Sequence, residues 1–553
     1  MPKLRLFSLT PTAKVFPDEP VRESELCSYF EGFQNETISF QIAFQGITEL
    51  DRRPVYLETV SPPSAWIRIR TVLTVPVRLA TLPNADDNYL RKTPGLYPDL
   101  LRNPQRDETL ASLRVQTGQW QSFWLDVEAE GSCKPGTYPI ELQLKDTKNE
   151  NVLANTSVSV TILPGMLPPQ KLIRTHWFHA DCLAEYYRVP VFSEEHWAII
   201  ENFIRTTVRR GCNMILTPLF TPPLDTAPGG ERLTVQLVDV TVHDGEYSFG
   251  FERMERWVEV CRRCGVSYLE MAHLFTQWGA KAAPKIMAAI DGVEKRLFGW
   301  ETDAHGEEYA RFLREFLPAL MDELKRLGVA DRVYFHISDE PSLEHLEDYR
   351  HACSLVKPYI QGRPVIDALS DFAFYQTGAL QKPVVAIDHL EPFLQAEVSG
   401  LWTYYCVGQY RDVTNAFIAM PAARTRILGV QLYLFQLEGF LQWGYNFYHT
   451  ELSRRQINPY ETTDAGGVFP AGDPFQVYPG PDGNPEESLR FMNLHLAMQD
   501  LRALEALETL RGREHVLHLL NECAQGPLTL TEYPREAAFF EKLRRRVNEE
   551  LTT

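Results

Sequence analysis

Between residues 171 and 448 the chain alternates short apolar runs with amphipathic stretches, and that alternation points to a parallel α/β sheet. Parallel strands cannot be joined by a tight turn; each pair needs a crossover of about a dozen residues, usually a helix. Eight runs read as strands: KLIRTHWFHA (171–180), CNMILTPLF (212–220), VSYLEMAHLF (266–275), DRVYFHIS (331–338), RPVIDALS (363–370), KPVVAIDHL (382–390), GLWTYYCVG (400–408) and GFLQWGYNFY (439–448). Helical patterns lie between most of them, at 193–211, 251–265, 306–328, 342–359 and 415–435. In 306–328, Tyr309, Phe312, Leu313, Phe316, Leu317, Leu320, Met321 and Leu324 recur at three- and four-residue spacing, one stripe of an amphipathic helix. TVQLVDVTVHDGEYSFGF (234–251) reads as an inserted hairpin. The expected fold class is therefore α/β, a (β/α)8 TIM-type barrel. An open doubly wound sheet is the alternative, but no glycine-rich phosphate fingerprint follows an early strand.

Residues 1–168 have no helical period. ISFQIAFQG (39–47), WIRIRTVLTVPVRLA (66–80), SFWLDVEAE (122–130), YPIELQLKD (138–146) and TSVSVTIL (156–163) alternate apolar and polar residues between turn signals, which predicts a β-sandwich. LPGMLPPQK (163–171) reads as a linker. After the barrel come a Gly-, Pro- and Asp-rich loop (458–485) and helices near 487–510 and 536–551. The expected organisation is a sandwich over 1–168, a catalytic barrel over 169–485 and a helical extension packed on it over 486–553.

Charge narrows the partners. With 55 Lys+Arg against 73 Asp+Glu the net charge is −18, against a nucleic-acid partner, whose phosphates call for a basic face. No apolar run reaches the length of about 18 residues that a membrane span needs. Lys3 and Arg5 resemble a charged leader, but Pro11 interrupts the short apolar stretch after them, so a cytoplasmic chain is expected. Nine cysteines scattered over the chain do not form a disulfide framework, and the pair in CRRC (261–264) reads as helix-surface thiols.

Barrel active sites lie where strands end. The fourth run ends in His336-Ile337-Ser338-Asp339-Glu340-Pro341. Adjacent strand residues face opposite sides, so Asp339 and Glu340 reach one site only if the chain bends between strand and helix. Pro341 biases Glu340 toward extended backbone. A bland alternative has one of these carboxylates capping the helix near Ser342. Aromatics gather at the ends of the seventh and eighth runs: Trp402, Tyr404, Tyr405, Trp443 and Tyr445 are candidate walls of a sugar pocket, and His176, Asn213, His273, Asp388 and Asn446 are candidate hydroxyl readers. Two adjacent carboxylates suit a sugar carrying a 2-acetamido group. One orients the amide while its oxygen attacks C1, and the other, protonated, frees the leaving oxygen.

HISDEP (336–341), HWFHADCLAEYY (176–187), CNMILTPLFTPPLDT (212–226), AHLFTQWG (272–279), GFLQWGYNFY (439–448) and DPFQVYPG (473–480) together make the chain resemble glycoside hydrolase family 123, the β-N-acetylgalactosaminidases. The resemblance covers most of the chain; family members likewise join an N-terminal β-sandwich to a catalytic barrel. It implies that Glu340 is the general acid/base and Asp339 the residue that holds the acetamide. The expected reaction is exo-acting, retaining release of β-linked N-acetylgalactosamine from a glycan's non-reducing end through an oxazoline, with no cofactor and no metal.

Two other readings compete. A metal-dependent hydrolase would use the strand-end histidines, but His176 and His179 are three apart and face opposite sides of a regular strand. A glycan-binding protein without turnover would have no need of the intact Asp339-Glu340 pair.

Overall fold

The computed structural model describes residues 4–60, 66–104, 110–128 and 133–553. The N-terminal part is two five-stranded sheets. The first runs Leu6–Leu9, Thr37–Gln45, Trp120–Glu128, Ile67–Val77, Gly95–Arg102 in space, antiparallel throughout. The second runs Tyr29–Phe33, Val152–Leu163, Gly136–Asp146, Pro54–Thr59, Ser112–Arg114, with only its first two strands parallel. The five expected strands are among these ten; residues 129 and 130 of the expected run 122–130 lie outside the described residues. Ile38, Phe40, Ile42 and Phe44 point between the sheets onto Leu142, Leu144, Val158 and Val160. The alternate residues Thr37, Ser39 and Gln41 are buried as well, because the other face packs on a C-terminal helix: Thr37 N–H donates to Gln499 Oε1 at 2.7 Å.

The second part is an eight-stranded parallel sheet: β1 (Ile173–His176), β2 (Met214–Thr217), β3 (Tyr268–Met271), β4 (Val333–Tyr334), β5 (Ile366–Ala368), β6 (Lys382–Ala386), β7 (Trp402–Tyr405) and β8 (Gly439–Gln442). The spatial order is β4-β3-β2-β1-β8-β7-β6-β5. The ends β4 and β5 meet through one bridge, Phe335 with Val365, where Phe335 N–H donates to Pro364 O and Ile366 N–H to Phe335 O, both at 2.9 Å. The sheet is thus a nearly closed barrel. Inward residues Met214, Leu216, Ile366, Val384, Trp402 and Leu441 fill it. Gly439 lacks a side chain because the Trp402 ring takes that space; an added Cβ would lie 1.9 Å from it.

Helices follow the strands and cover the barrel, among them Glu194–Arg209 after β1, Glu307–Arg326 after β3, Leu346–Val356 after β4 and Leu489–Arg511 after β8. Every apolar residue of the 306–328 stripe is buried. The inserted hairpin is present as Asp239–His243 with Glu246–Gly250. A further hairpin, Ile286–Ile290 with Val293–Phe298, joins it; VEKRLF is charged and mostly exposed, so its sequence carries no strand signal. Residues 415–421 correct the expected helix at 415–435: Pro421 is an N-cap, and helices run over Ala422–Arg426 and Leu428–Leu434. Cys261 and Cys264 are buried in the core rather than on a helix surface. Among the described residues no helix is long and apolar enough to cross a membrane.

Buried ion pairs tie the two parts together. Arg70 and Asp126 of the N-terminal sheet pair at 2.5 Å. Both meet Glu487, just before helix Leu489–Arg511, or Arg210, just after helix Glu194–Arg209; Arg210 Nε donates to Glu487 at 2.6 Å. Asp99 holds Arg490 through two bonds of 2.9 and 3.0 Å. Glu36 meets Arg544 at 2.8 Å, and Arg544 shares Asp500 with Arg426.

Candidate active site

The pocket at the C-terminal ends of the strands is built from the turn after β4. Glu340 has φ 48°, the left-handed region, not the extended backbone that Pro341 favours. That conformation costs about 1–2 kcal/mol in a non-glycine residue. The turn it makes lets the adjacent Asp339 and Glu340 line one cavity. The capping role is filled elsewhere: Ser342 and His345 bond one another across the first turn of the following helix.

The surrounding loops hold this turn in place. Trp278 N–H donates to Asp339 O at 3.0 Å, and Ser338 Oγ to Thr276 O at 2.9 Å. Tyr404 OH, from β7, donates to Glu340 Oε1 at 2.6 Å. Asp339 Oδ1 is buried and, among the described residues, has no hydrogen-bond partner. Burial, and the neighbouring Glu340 carboxylate, push the Asp339 carboxyl well above the usual carboxylate range; the His336 cation pulls it back in part. Two like charges side by side cannot both ionise cheaply. Around the pair stand Trp177, Asp225, Gln277, Trp278, Trp443 and Phe469. Burial pushes the Asp225 carboxyl up to about 6, and that of Asp473, beside the Trp443 indole, to about 8.

Beneath the pocket lies a buried charged chain. His336 donates through Nε2 to Glu270 (2.6 Å) and through Nδ1 to Asp367 (3.0 Å). Glu270 also accepts from Trp177 Nε1 at 2.8 Å and from Thr175. Asp367 accepts from Tyr349 OH at 2.6 Å and from Ile337 N–H at 3.1 Å. Burial alone would lower the His336 imidazole, but bonds to Asp367 and Glu270 raise it to about 9. His336 is therefore a cation at neutral pH, and its raised folded-state value gives the linkage sign. Its stabilisation is complete below about pH 6.5 and is lost as pH rises through 9. Chemical denaturation at pH 6.5 and pH 9.5 is expected to show a stability loss in the wild type that His336→Gln lacks; equal losses in both would discharge His336.

Among the described residues, two groups bring ligand-type atoms within 4.8 Å: His273 with His336 and Asp367, and Asp181 with Cys182 and His449. In the first, both His336 nitrogens are committed to carboxylates. In the second, Arg232 already holds Asp181 through two bonds of 2.7 Å. Neither offers a metal a free donor set.

Of the residues singled out in the sequence, the structure brings Asp339, Glu340, Tyr404 and Trp443 to the pocket. His273 sits one layer below, stacked on His336 at 4.1 Å, with burial holding it neutral. Asp388 is on the rim, accepting from Gln409 at 2.9 Å. The others are corrections. His176 points outward against Phe491 and Tyr445. Asn213 precedes β2 and bonds the backbone of Leu172 and Arg174, so it lies at the far end of the barrel. Trp402 faces inward but fills the layer beneath Tyr404. Tyr405 faces outward onto Phe440. Tyr445 is outward too, donating to Phe203 O at 2.9 Å. Asn446 clamps the backbone of His179 through two bonds of 3.0 Å. Asp225 and Gln277, from the loops after β2 and β3, were not among the candidate site residues, although the CNMILTPLFTPPLDT and AHLFTQWG segments contain them; no period marks a loop residue.

The whole chain resembles the structure of a family 123 glycoside hydrolase from Clostridium perfringens that hydrolyses glycolipid glycans, with a TM-score of 0.73 at 14% identity, covering 99% of this chain and 98% of that one. A β-glucuronidase from Bacteroides uniformis overlaps far less, with a TM-score of 0.30 at 10% identity over 90% of this chain and 49% of that one. No curated protein matches the sequence. The model of the glycoside hydrolase 123 catalytic domain matches residues 177–507, a stretch that runs from Trp177 in the pocket wall through Asp339 and Glu340 to the helix after β8, and the chain accordingly belongs to glycoside hydrolase family 123.

Proposed function

We propose that this glycosidase releases β-linked N-acetylgalactosamine from the non-reducing end of glycans, with retention, on a (β/α)8 barrel, using the substrate's 2-acetamido oxygen as nucleophile. The observation that carries this reading is Asp339 Oδ1, a buried acceptor without a donor, next to a second carboxylate in an aromatic-walled pocket. An acetamide N–H supplies the missing donor. As the amide oxygen attacks C1, positive charge grows on the amide and favours ionised Asp339, while Glu340, which Tyr404 orients, serves as the acid. Glu340 protonates the glycosidic oxygen, the C1–O bond breaks as the amide oxygen bonds to C1, and the oxazoline forms as its protonated oxazolinium ion, whose N–H Asp339 holds. Glu340 next takes a proton from water, which adds to C1 and reopens the ring, so the configuration is retained.

The relative's glycolipid glycans fit a substrate of this class. Within the chain we assign 1–168 to a β-sandwich domain, 169–485 to the catalytic barrel and 486–553 to a helical extension. The nine free thiols, most of them buried, suit the reducing cytoplasm.

Turnover of aryl 2-acetamido-β-galactoside is expected to exceed that of the gluco epimer. Its rate should fall steeply from the acetamide through mono-, di- and trifluoroacetamide, because fluorine drains the attacking oxygen. A flat series would assign the nucleophile to a side chain, and faster gluco turnover would overturn the epimer assignment.

A further inference from the structure

We propose that Asp225 and Gln277 form a donor–acceptor couple that reads one hydroxyl of the sugar in this pocket and so sets epimer specificity. The inference rests on the glycosidase reading and adds to it a specificity function for two loop residues. Gln277 is 6% exposed and lines the pocket. Its Oε1 accepts Asp225 N–H at 2.8 Å, which fixes the carboxamide, yet among the described residues its buried Nε2 has no partner. A buried N–H without an acceptor costs about 1–3 kcal/mol, so a ligand oxygen there gains what the empty site lacks. Asp225 stands alongside: its Oδ2 accepts Leu452 N–H at 3.1 Å, and among the described residues no donor reaches Oδ1.

A hydroxyl both donates and accepts. One group can therefore donate to the Asp225 carboxylate and accept from Gln277 Nε2. An epimer that turns this hydroxyl away leaves both partners unsatisfied, which is the arrangement that discriminates most strongly between close analogues.

The backbone supports such precision. Asp225 and Trp278 take left-handed φ values of 39° and 57°. Ser453 Oγ donates to Asp225 O at 2.7 Å, so the loop after β8 braces the loop after β2. Trp278 N–H, next to Gln277, reaches Asp339 O. The couple is thereby held in register with the catalytic carboxylates.

The test is a substrate-by-variant matrix. Aryl 2-acetamido-β-galactoside and its 3-, 4- and 6-deoxy analogues are turned over by wild type, Asp225→Asn and Gln277→Met. One deoxy position is expected to cost the wild type about 100-fold in kcat/KM, and that penalty should shrink below about fivefold in each variant while the other positions keep theirs. Each penalty is a ratio on one protein, so a variant's folded fraction cancels. A variant without turnover is read by calorimetric binding of the same free sugars. Identical penalties in all three proteins overturn the couple. Should the wild type prefer another β-glycoside, the reading of the substrate fails separately, and the deoxy series of that preferred sugar tests the couple in the same way.

Discussion

Asp339→Asn is expected to lower kcat/KM on an aryl 2-acetamido-β-galactoside by about 10³-fold, near 4 kcal/mol of transition-state stabilisation. Among the described residues Asp339 Oδ1 has no partner, and in the proposed mechanism its charge faces the amide that turns positive. Asparagine keeps the shape but meets the acetamide with either a neutral oxygen or a competing N–H. The effect belongs in kcat more than in KM, because the charge it faces exists only in the transition state. A pH signature accompanies it. The Asp339 carboxyl lies well above the usual carboxylate range, so wild-type kcat/KM should decline on the acid side at pH values where an ordinary aspartate is still ionised. That limb should vanish in Asp339→Asn. A variant within tenfold of wild type, or one that keeps the limb, would assign the acetamide to another residue.

The second large effect concerns stability. Arg210→Met is expected to cost about 3–5 kcal/mol, because it leaves Asp126 and Glu487 facing each other in the interior with less cation between them. Arg70 remains, but it already serves both acids. The node joins an N-terminal strand, a barrel helix and the segment before the C-terminal helix. Its loss should therefore lower one cooperative transition of the whole chain rather than detach the N-terminal part. Urea unfolding followed by tryptophan fluorescence and by circular dichroism is the measurement. A destabilisation below 1 kcal/mol, or two separated transitions in the wild type, would refute the idea of a single fused core.

Much of the architecture was legible because period survives in the sequence. The stripe from Tyr309 to Leu324 and the apolar runs of the barrel strands are consequences of packing that any reading of spacing recovers. In the site, unusual local chemistry marked Asp339-Glu340, and the aromatic ends of the seventh and eighth runs marked Tyr404 and Trp443. Elsewhere parity decided. Trp177 faces the pocket and His176 the covering helices; Tyr404 meets Glu340 and Tyr405 meets Phe440. One residue of strand register separates these fates, and register is fixed by neighbours far away in sequence. The left-handed turn at Glu340 was invisible for a related reason: local preference beside Pro341 favours the opposite, and tertiary bonds override it.

The closure between β4 and β5 carries a consequence for how the barrel breathes. Its other strand pairs are stitched by ladders, but here two backbone bonds suffice, and beside them Ile337 gives its amide to the Asp367 side chain instead of a strand. The hoop is fastened by a clasp of Glu270, His336 and Asp367, an acid–base chain rather than a fabric of peptide groups. Peptide hydrogens at such a clasp are expected to exchange through partial openings rather than global unfolding, and faster once the His336 imidazole loses its proton. Two residues beyond Ile337 stands Asp339, so the proposed catalytic pair is mounted directly beside the seam of the ring.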